Sequence, residues 1–136
     1  MAVDLTMRVL VVEDNRTMGQ IVRNLLMLIG FKHVDNVFDG TSALKMLRKN
    51  EHGLVISDWN MQPMTGQMLL GKIRADPILK SVPFIVVTAE SKLETITAAR
   101  EGGASGYIVK PFTGETLKAK IAAVLASGPT EHAIYC

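Results

Sequence analysis

Cysteine is all but absent from this 136-residue chain: the single Cys136 closes it, and one thiol cannot form an intramolecular disulfide. The reading is a protein of a reducing compartment, with the cytoplasm expected. Clusters of one charge are missing too. No run of Lys and Arg exceeds a pair, and a net charge of +2 is too small to point to nucleic acid. No apolar stretch approaches the length of a membrane span. The start, Met1-Ala2-Val3-Asp4-Leu5-Thr6, lacks the basic-then-apolar pattern of a signal peptide, so no leader is expected. Internal repeats and low-complexity segments are absent as well. What remains is 48% hydrophobic and 21% charged, a composition that argues against disorder. A chain of this length is expected to form one domain with a sizeable core.

Short apolar, β-branched runs alternate with stretches of helical period. Val9-Leu10-Val11-Val12 runs into Glu13-Asp14, Leu54-Val55-Ile56-Ser57 into Asp58, Phe84-Ile85-Val86-Val87 into Thr88, and Tyr107-Ile108-Val109 into Lys110. Such runs read as buried parallel strands. A weaker strand is expected at His33 to Phe38. Met18, Ile21, Val22, Leu25, Leu28 and Ile29 draw one helical stripe, closed by Gly30. Asp39 or Thr41 caps a helix carrying Ala43, Leu44 and Leu47. Leu69, Leu70 and Ile73 mark a third helix, ended by Asp76-Pro77. Leu93, Ile96 and Ala99 mark a fourth, stopped by Gly102-Gly103, and Leu117, Ile121, Val124 and Leu125 a fifth. Five βα units in a row imply an α/β fold: a doubly wound parallel sheet with helices on both faces and right-handed crossovers.

In an open parallel sheet, ligands bind beyond the carboxyl ends of the strands. With the strands side by side, Glu13, Asp14, Asp58, Thr88 and Lys110 converge on one edge. Taken alone, Glu13 and Asp14 read as acids capping the helix that follows. Asp58, at the end of another central strand, shifts that reading toward a divalent cation. Three close carboxylates repel one another, and Mg²⁺ prefers hard oxygen ligands while often using only one or two carboxylates. Beside Mg²⁺, the Asp58 carboxylate can attack a phosphoryl group to give an aspartyl phosphate. The transition state spreads charge over three equatorial oxygens. The metal, the Lys110 ammonium and the Thr88 hydroxyl each suit one of them.

Four stretches then carry a resemblance: Val11-Val12-Glu13-Asp14-Asn15, Ser57-Asp58-Trp59-Asn60-Met61, Val87-Thr88-Ala89-Glu90, and Gly103-Ala104-Ser105-Gly106-Tyr107-Ile108-Val109-Lys110-Pro111-Phe112. In this order they resemble the receiver domains of two-component response regulators, a combined signal of high specificity. The likeness runs from Arg8 to Ala126, so residues 8–126 are expected to form the receiver domain, with 1–7 a lead-in and 127–136 a tail. It implies the flavodoxin-like strand order 2-1-3-4-5 with five helices. It also implies that Asp58 is the phosphoacceptor and that Asp14 binds Mg²⁺ directly, with Glu13 acting through water and the Asn60 backbone carbonyl completing the set. Thr88 and Lys110 are implied to contact the phosphoryl group, and the Lys110-Pro111 bond to be cis. Tyr107 is implied to be a switch aromatic that turns inward when Thr88 is drawn toward the phosphoryl group. Asn60 and Glu90 occupy positions that tune how fast the phosphoryl group is lost to water. One departure stands out: the family's loop proline comes one place later, at Pro63 after Gln62.

For function the resemblance implies a stand-alone response regulator, a switch that catalyses only its own phosphorylation and dephosphorylation. The implied partners are a histidine kinase of the CheA type, the flagellar motor switch protein FliM and a phosphatase, with chemotaxis as the output. No nucleic acid or membrane is implied, and the expected state is a monomer. The expected docking face is formed by the last two strands and flanking helices, with Lys92, Arg100, Tyr107, Lys118 and Lys120. Within signalling, the alternative is a phosphorelay or phosphate-sink receiver that never meets the motor. From another class, a flavodoxin-like ligand binder would need glycine, serine and threonine amides after the first strand, where Glu13-Asp14-Asn15 would repel phosphate. A small-substrate phosphatase would need a cap for which little chain remains.

Overall fold

The computed structural model describes residues 3–127, so the expected tail falls, from residue 128 on, outside the described residues. Strands β1 (Arg8–Val12), β2 (His33–Val37), β3 (Leu54–Asp58), β4 (Phe84–Thr88) and β5 (Gly106–Val109) alternate with five helices. These are α1 (Arg16–Ile29), α2 (Gly40–Lys49), α3 (Gly66–Ala75), α4 (Leu93–Glu101) and α5 (Gly114–Ser127). Every strand pairing is parallel and the order is β2-β1-β3-β4-β5, the expected doubly wound sheet. No described helix is long and apolar enough to cross a membrane.

Strand alternation divides the core into two layers. Leu10, Val12, Val55, Phe84 and Val86 meet α2, α3 and α4 through Leu44, Leu47, Leu69, Leu70, Ile73 and Ala99. On the opposite face Val9, Val11, Ile56, Ile85 and Val87 meet Val22 and Leu26 of α1 and Leu117, Ile121 and Val124 of α5. Strands covered on both faces need apolar residues throughout, which is why β1, β3 and β4 read so clearly. Edge strand β2 is fully buried only at Val37, and its sequence signal was correspondingly weak.

Local chemistry ends the helices where expected. Gly30, at φ 125°, donates to the Leu26 and Met27 carbonyls and closes α1. Asp39 caps α2, accepting from the Ser42 amide at 2.7 Å, so Thr41 is not the cap. Arg74 ties α3 to its surroundings, donating to the carbonyls of Gly103 (2.9 Å), Lys80 (3.1 Å) and Val82 (2.7 Å).

Three expectations are corrected. The buried line of α1 is Gly19, Val22 and Leu26, whereas Ile21 and Leu28 are 46% and 84% exposed. A stripe drawn from apolar residues alone skips a glycine that packs against Glu13 and accepts leucines that face water. Leu93 is 77% exposed, because it opens α4, a helix in which Ala99 alone is fully buried. Lys120, expected on an exposed docking face, is instead buried. It lies three residues after Leu117 and four before Val124, on the buried side of α5.

Candidate functional site

Register brings the strand ends level. Val12 pairs with Ser57, Asp58 with Val87, and Thr88 with Val109, so Asp58 and Thr88, which end β3 and β4, open onto one edge with the residues that follow β1 and β5. Backbone bonds hold the exits in place. The Glu13 amide donates to Val37, Trp59 to Val87 and Lys110 to Thr88, at 3.1, 2.9 and 2.8 Å.

Glu13 and Asp58 are buried, Asp14 is exposed, and one carboxylate oxygen from each lies within 4.8 Å of the others. The Lys110 ammonium reaches into this group, 2.9 Å from Glu13 Oε1 and 3.3 Å from Asp58 Oδ1. The helix-capping reading of Glu13 and Asp14 is overturned. Asn15 caps α1 instead, its Oδ1 accepting from the Met18 amide at 2.9 Å, and the first turn of α1 holds no acid. Asparagine ahead of the helical stripe was a legible signal for that. Freed from capping, Glu13 accepts from the Asn15 amide at 3.2 Å and from Lys110.

Thr88 is fully buried, and its Oγ1 accepts from the Glu90 amide at 3.0 Å. Glu90 Oε1 in turn accepts from Asn60 Nδ2 at 3.5 Å, so these two residues meet across the mouth of the site. Tyr107 pairs with Val86 in register and packs, half-buried, against the layer that contains α3 and α4. By alternation Thr88 projects to that same face. The Lys110-Pro111 bond is cis, and so is Gln62-Pro63.

The loop leaving Asp58 depends on a residue whose role the sequence hid. A Cβ at Gly66 would collide with the Asp58 carbonyl and come within 2.7 Å of Trp59 Cα, and both are backbone atoms that cannot yield cheaply. Thr65 caps α3 by accepting from the Met68 amide at 3.1 Å, and the Gly66 amide donates to the Trp59 carbonyl at 2.9 Å. Gly66→Ala is expected to cost about 1–3 kcal/mol through overpacking, although alanine is the better helix former. Urea unfolding of the variant beside wild type checks this; equal midpoints would refute it.

Burial, aided by the Asp58 charge, pushes the Glu13 carboxyl above its ordinary 4.5, although Lys110 and the Asn15 amide pull the other way. Burial opposes the Lys110 charge, but the Glu13 hydrogen bond and the nearby carboxylates outweigh it, and its pKa rises above 10.5. The signs follow from linkage. The Lys110 contribution is complete below 10.5 and is lost only at higher pH. A raised carboxyl favours the fold at low pH and loses that contribution as pH climbs from 4.5 through its higher folded value. Without divalent metal, the stability of wild type minus that of Glu13→Gln should therefore decline as pH rises through this window. Thermal melts in chelator across the acid range measure it, and a pH-independent difference would contradict it.

Residues 9–122 match the response regulator receiver domain family, and the chain belongs to it. Among curated relatives, the chemotaxis protein CheY-3 of Vibrio cholerae is 49% identical over 115 residues, covering 85% of this chain and 88% of that protein. The chemotaxis protein CheY of Pseudomonas aeruginosa is 46% identical over 115 residues, covering 85% of this chain and 93% of its own. Among solved structures, the chemotaxis response regulator CheY4 of Vibrio cholerae superposes with a TM-score of 0.81 at 33% identity, covering 88% of this chain and 98% of that one.

Proposed function

We propose that this chain is a phosphorylation-switched response regulator of chemotaxis, with Asp58 as phosphoacceptor. The observation that carries the reading is the Lys110 ammonium, set between Glu13 and Asp58 where the three carboxylates converge. One ammonium cannot balance three carboxylates, and the donor set is hard oxygen throughout, which suits Mg²⁺. Glu13, Asp14 and Asp58 would hold the ion, together with the Asn60 backbone carbonyl. When bound, the metal supplies neutralising charge for the phosphoryl oxygens and the carboxylates.

This chain's residues do the rest. An Asp58 oxygen attacks the phosphorus of a phosphohistidine, the new O–P bond forms as the P–N bond breaks, and the imidazole leaves with the electron pair. Lys110 turns from its carboxylates toward the developing charge, and the Thr88 hydroxyl leaves the Glu90 amide to bond a phosphoryl oxygen. That movement opens room beside Tyr107, whose inward turn alters the β4–β5 face. Asn60 and Glu90, joined at the mouth, govern how water reaches the acyl phosphate. A histidine kinase of the CheA type supplies the phosphoryl group in the cytoplasm. The altered face, with exposed Lys92 and Arg100, then docks on the flagellar motor switch protein FliM, and a phosphatase resets it. Lys118 instead lines a pocket with Leu5, Ile29 and Phe31 on the α1 side of α5.

Trp59 is buried directly beside Asp58 and reports on charge there. Its fluorescence should change saturably with Mg²⁺ and change again with beryllofluoride, the second step vanishing in Asp58→Asn. A folded wild-type sample silent to both additions would sink the reading.

A further inference from the structure

Helices α2 and α3 carry Lys45, Arg48, Lys49, Lys72 and Arg74 and not one acid. The whole chain has 15 basic and 13 acidic residues, so without these five the acids would be in excess. Cations in a last helical turn complement the dipole, which suits Arg48, Lys49, Lys72 and Arg74. Lys45 sits in mid-helix and owes nothing to that effect.

Between the two helices runs an open groove of about 590 Å³. Its apolar walls come from Leu44, Met64, Ala75 and Pro77, and Lys45, Arg48 and Lys72 stand along it. Asp76, at the groove's end, is already committed. It pairs with Arg48 at 3.5 Å and accepts from the Ile78 and Leu79 amides at 2.8 and 3.3 Å. Met64 belongs to the loop leaving Asp58, and its side chain covers Gly40 at the start of α2.

We infer that this groove is a second docking surface, separate from the β4–β5 face, and that its occupant is an acidic amphipathic segment of a partner protein. Apolar side chains of such a segment fill the space between Leu44, Met64 and Ala75, and its carboxylates meet Lys45, Arg48 and Lys72. The fit is poorer for a nucleic acid, which has no apolar side chains for these walls and would bring phosphates to Asp76. A flat anionic membrane does not enter a concave groove.

The test uses the full chain, labelled with ¹⁵N, and a synthetic glutamate–leucine peptide patterned as an amphipathic helix. Amides of residues 41–49 and 64–77 are expected to shift saturably. The Lys45→Glu, Lys72→Glu double variant should bind at least about tenfold more weakly, whereas Lys32→Glu, a reversal elsewhere on the surface, should bind as wild type does. Raising the salt should weaken binding as well. Both altered lysines are exposed, and a thermal melt verifies the fold. Shifts centred on α4, β5 and α5, or undiminished affinity in the double variant, would overturn the inference. So would stronger binding to an oligonucleotide or to phosphatidylglycerol vesicles than to the peptide.

Discussion

Replacing Asp58 with asparagine is expected to abolish phosphoryl incorporation altogether. In the presence of Mg²⁺ and a small acyl phosphate, wild type should gain the mass of one phosphoryl group, removable by mild base as an acyl phosphate is. The variant should gain none, because an amide has no carboxylate oxygen to attack phosphorus. Asparagine is chosen for its shape, which leaves the buried end of β3 filled and leaves Lys110 its 2.9 Å contact with Glu13.

The same variant separates lost chemistry from lost fold. Part of what raises the Glu13 carboxyl is the charge of Asp58. Removing that charge relieves repulsion in a cluster whose oxygens lie within 4.8 Å of one another. Asp58→Asn should therefore melt no lower than wild type in chelator while failing to accept a phosphoryl group. A variant that still gained the phosphoryl mass at wild-type level would remove Asp58 from its assigned role.

Much of this was legible in the sequence for a physical reason. A strand buried on both faces is apolar along most of its length, so the polar residues at or just past the ends of β1, β3, β4 and β5 mark the edge where a parallel sheet binds its ligand. Glu13, Asp58, Thr88 and Lys110 were found in that way. Less visible were properties set by three-dimensional contact. Gly66 looks like any loop glycine until the Asp58 carbonyl is placed against it. The Glu13–Lys110 pair joins residues 97 positions apart, and nothing local in either segment announces it. The exposed Ile21, Leu28 and Leu93 show the opposite limit: apolar residues at helical spacing mark a stripe, but not which edge of it reaches the core. Lys120 shows that a charged residue at such a spacing can lie on the inner side.

Lys110→Ala should move three quantities in different directions, and that pattern defines its role. Without metal, two carboxylates that are 5% and 8% exposed lose their shared cation. Breaking a fully buried pair costs ~3–5 kcal/mol, and the 19% exposure of the lysine reduces the expected loss here to about 2 kcal/mol. Chelator melts and urea unfolding measure it. Mg²⁺ affinity should rise roughly tenfold, because a positive charge that repels the metal is gone. Titration of Trp59 fluorescence reads this change, and saturating Mg²⁺ should recover most of the lost stability by mass action. Phosphotransfer from a small acyl phosphate should nevertheless fall about 10²–10³-fold, the usual cost of removing one donor aimed at developing charge. Lys110→Arg is the informative companion. It keeps the charge, and with it most of the stability, but a planar guanidinium cannot take the place of a compact ammonium 2.9 Å from Glu13, so transfer stays impaired. If alanine left both Mg²⁺ affinity and transfer unchanged, Lys110 would be a structural counter-ion alone. Tighter metal binding with lost transfer requires an ammonium that competes with the metal at rest and serves the phosphoryl group during reaction.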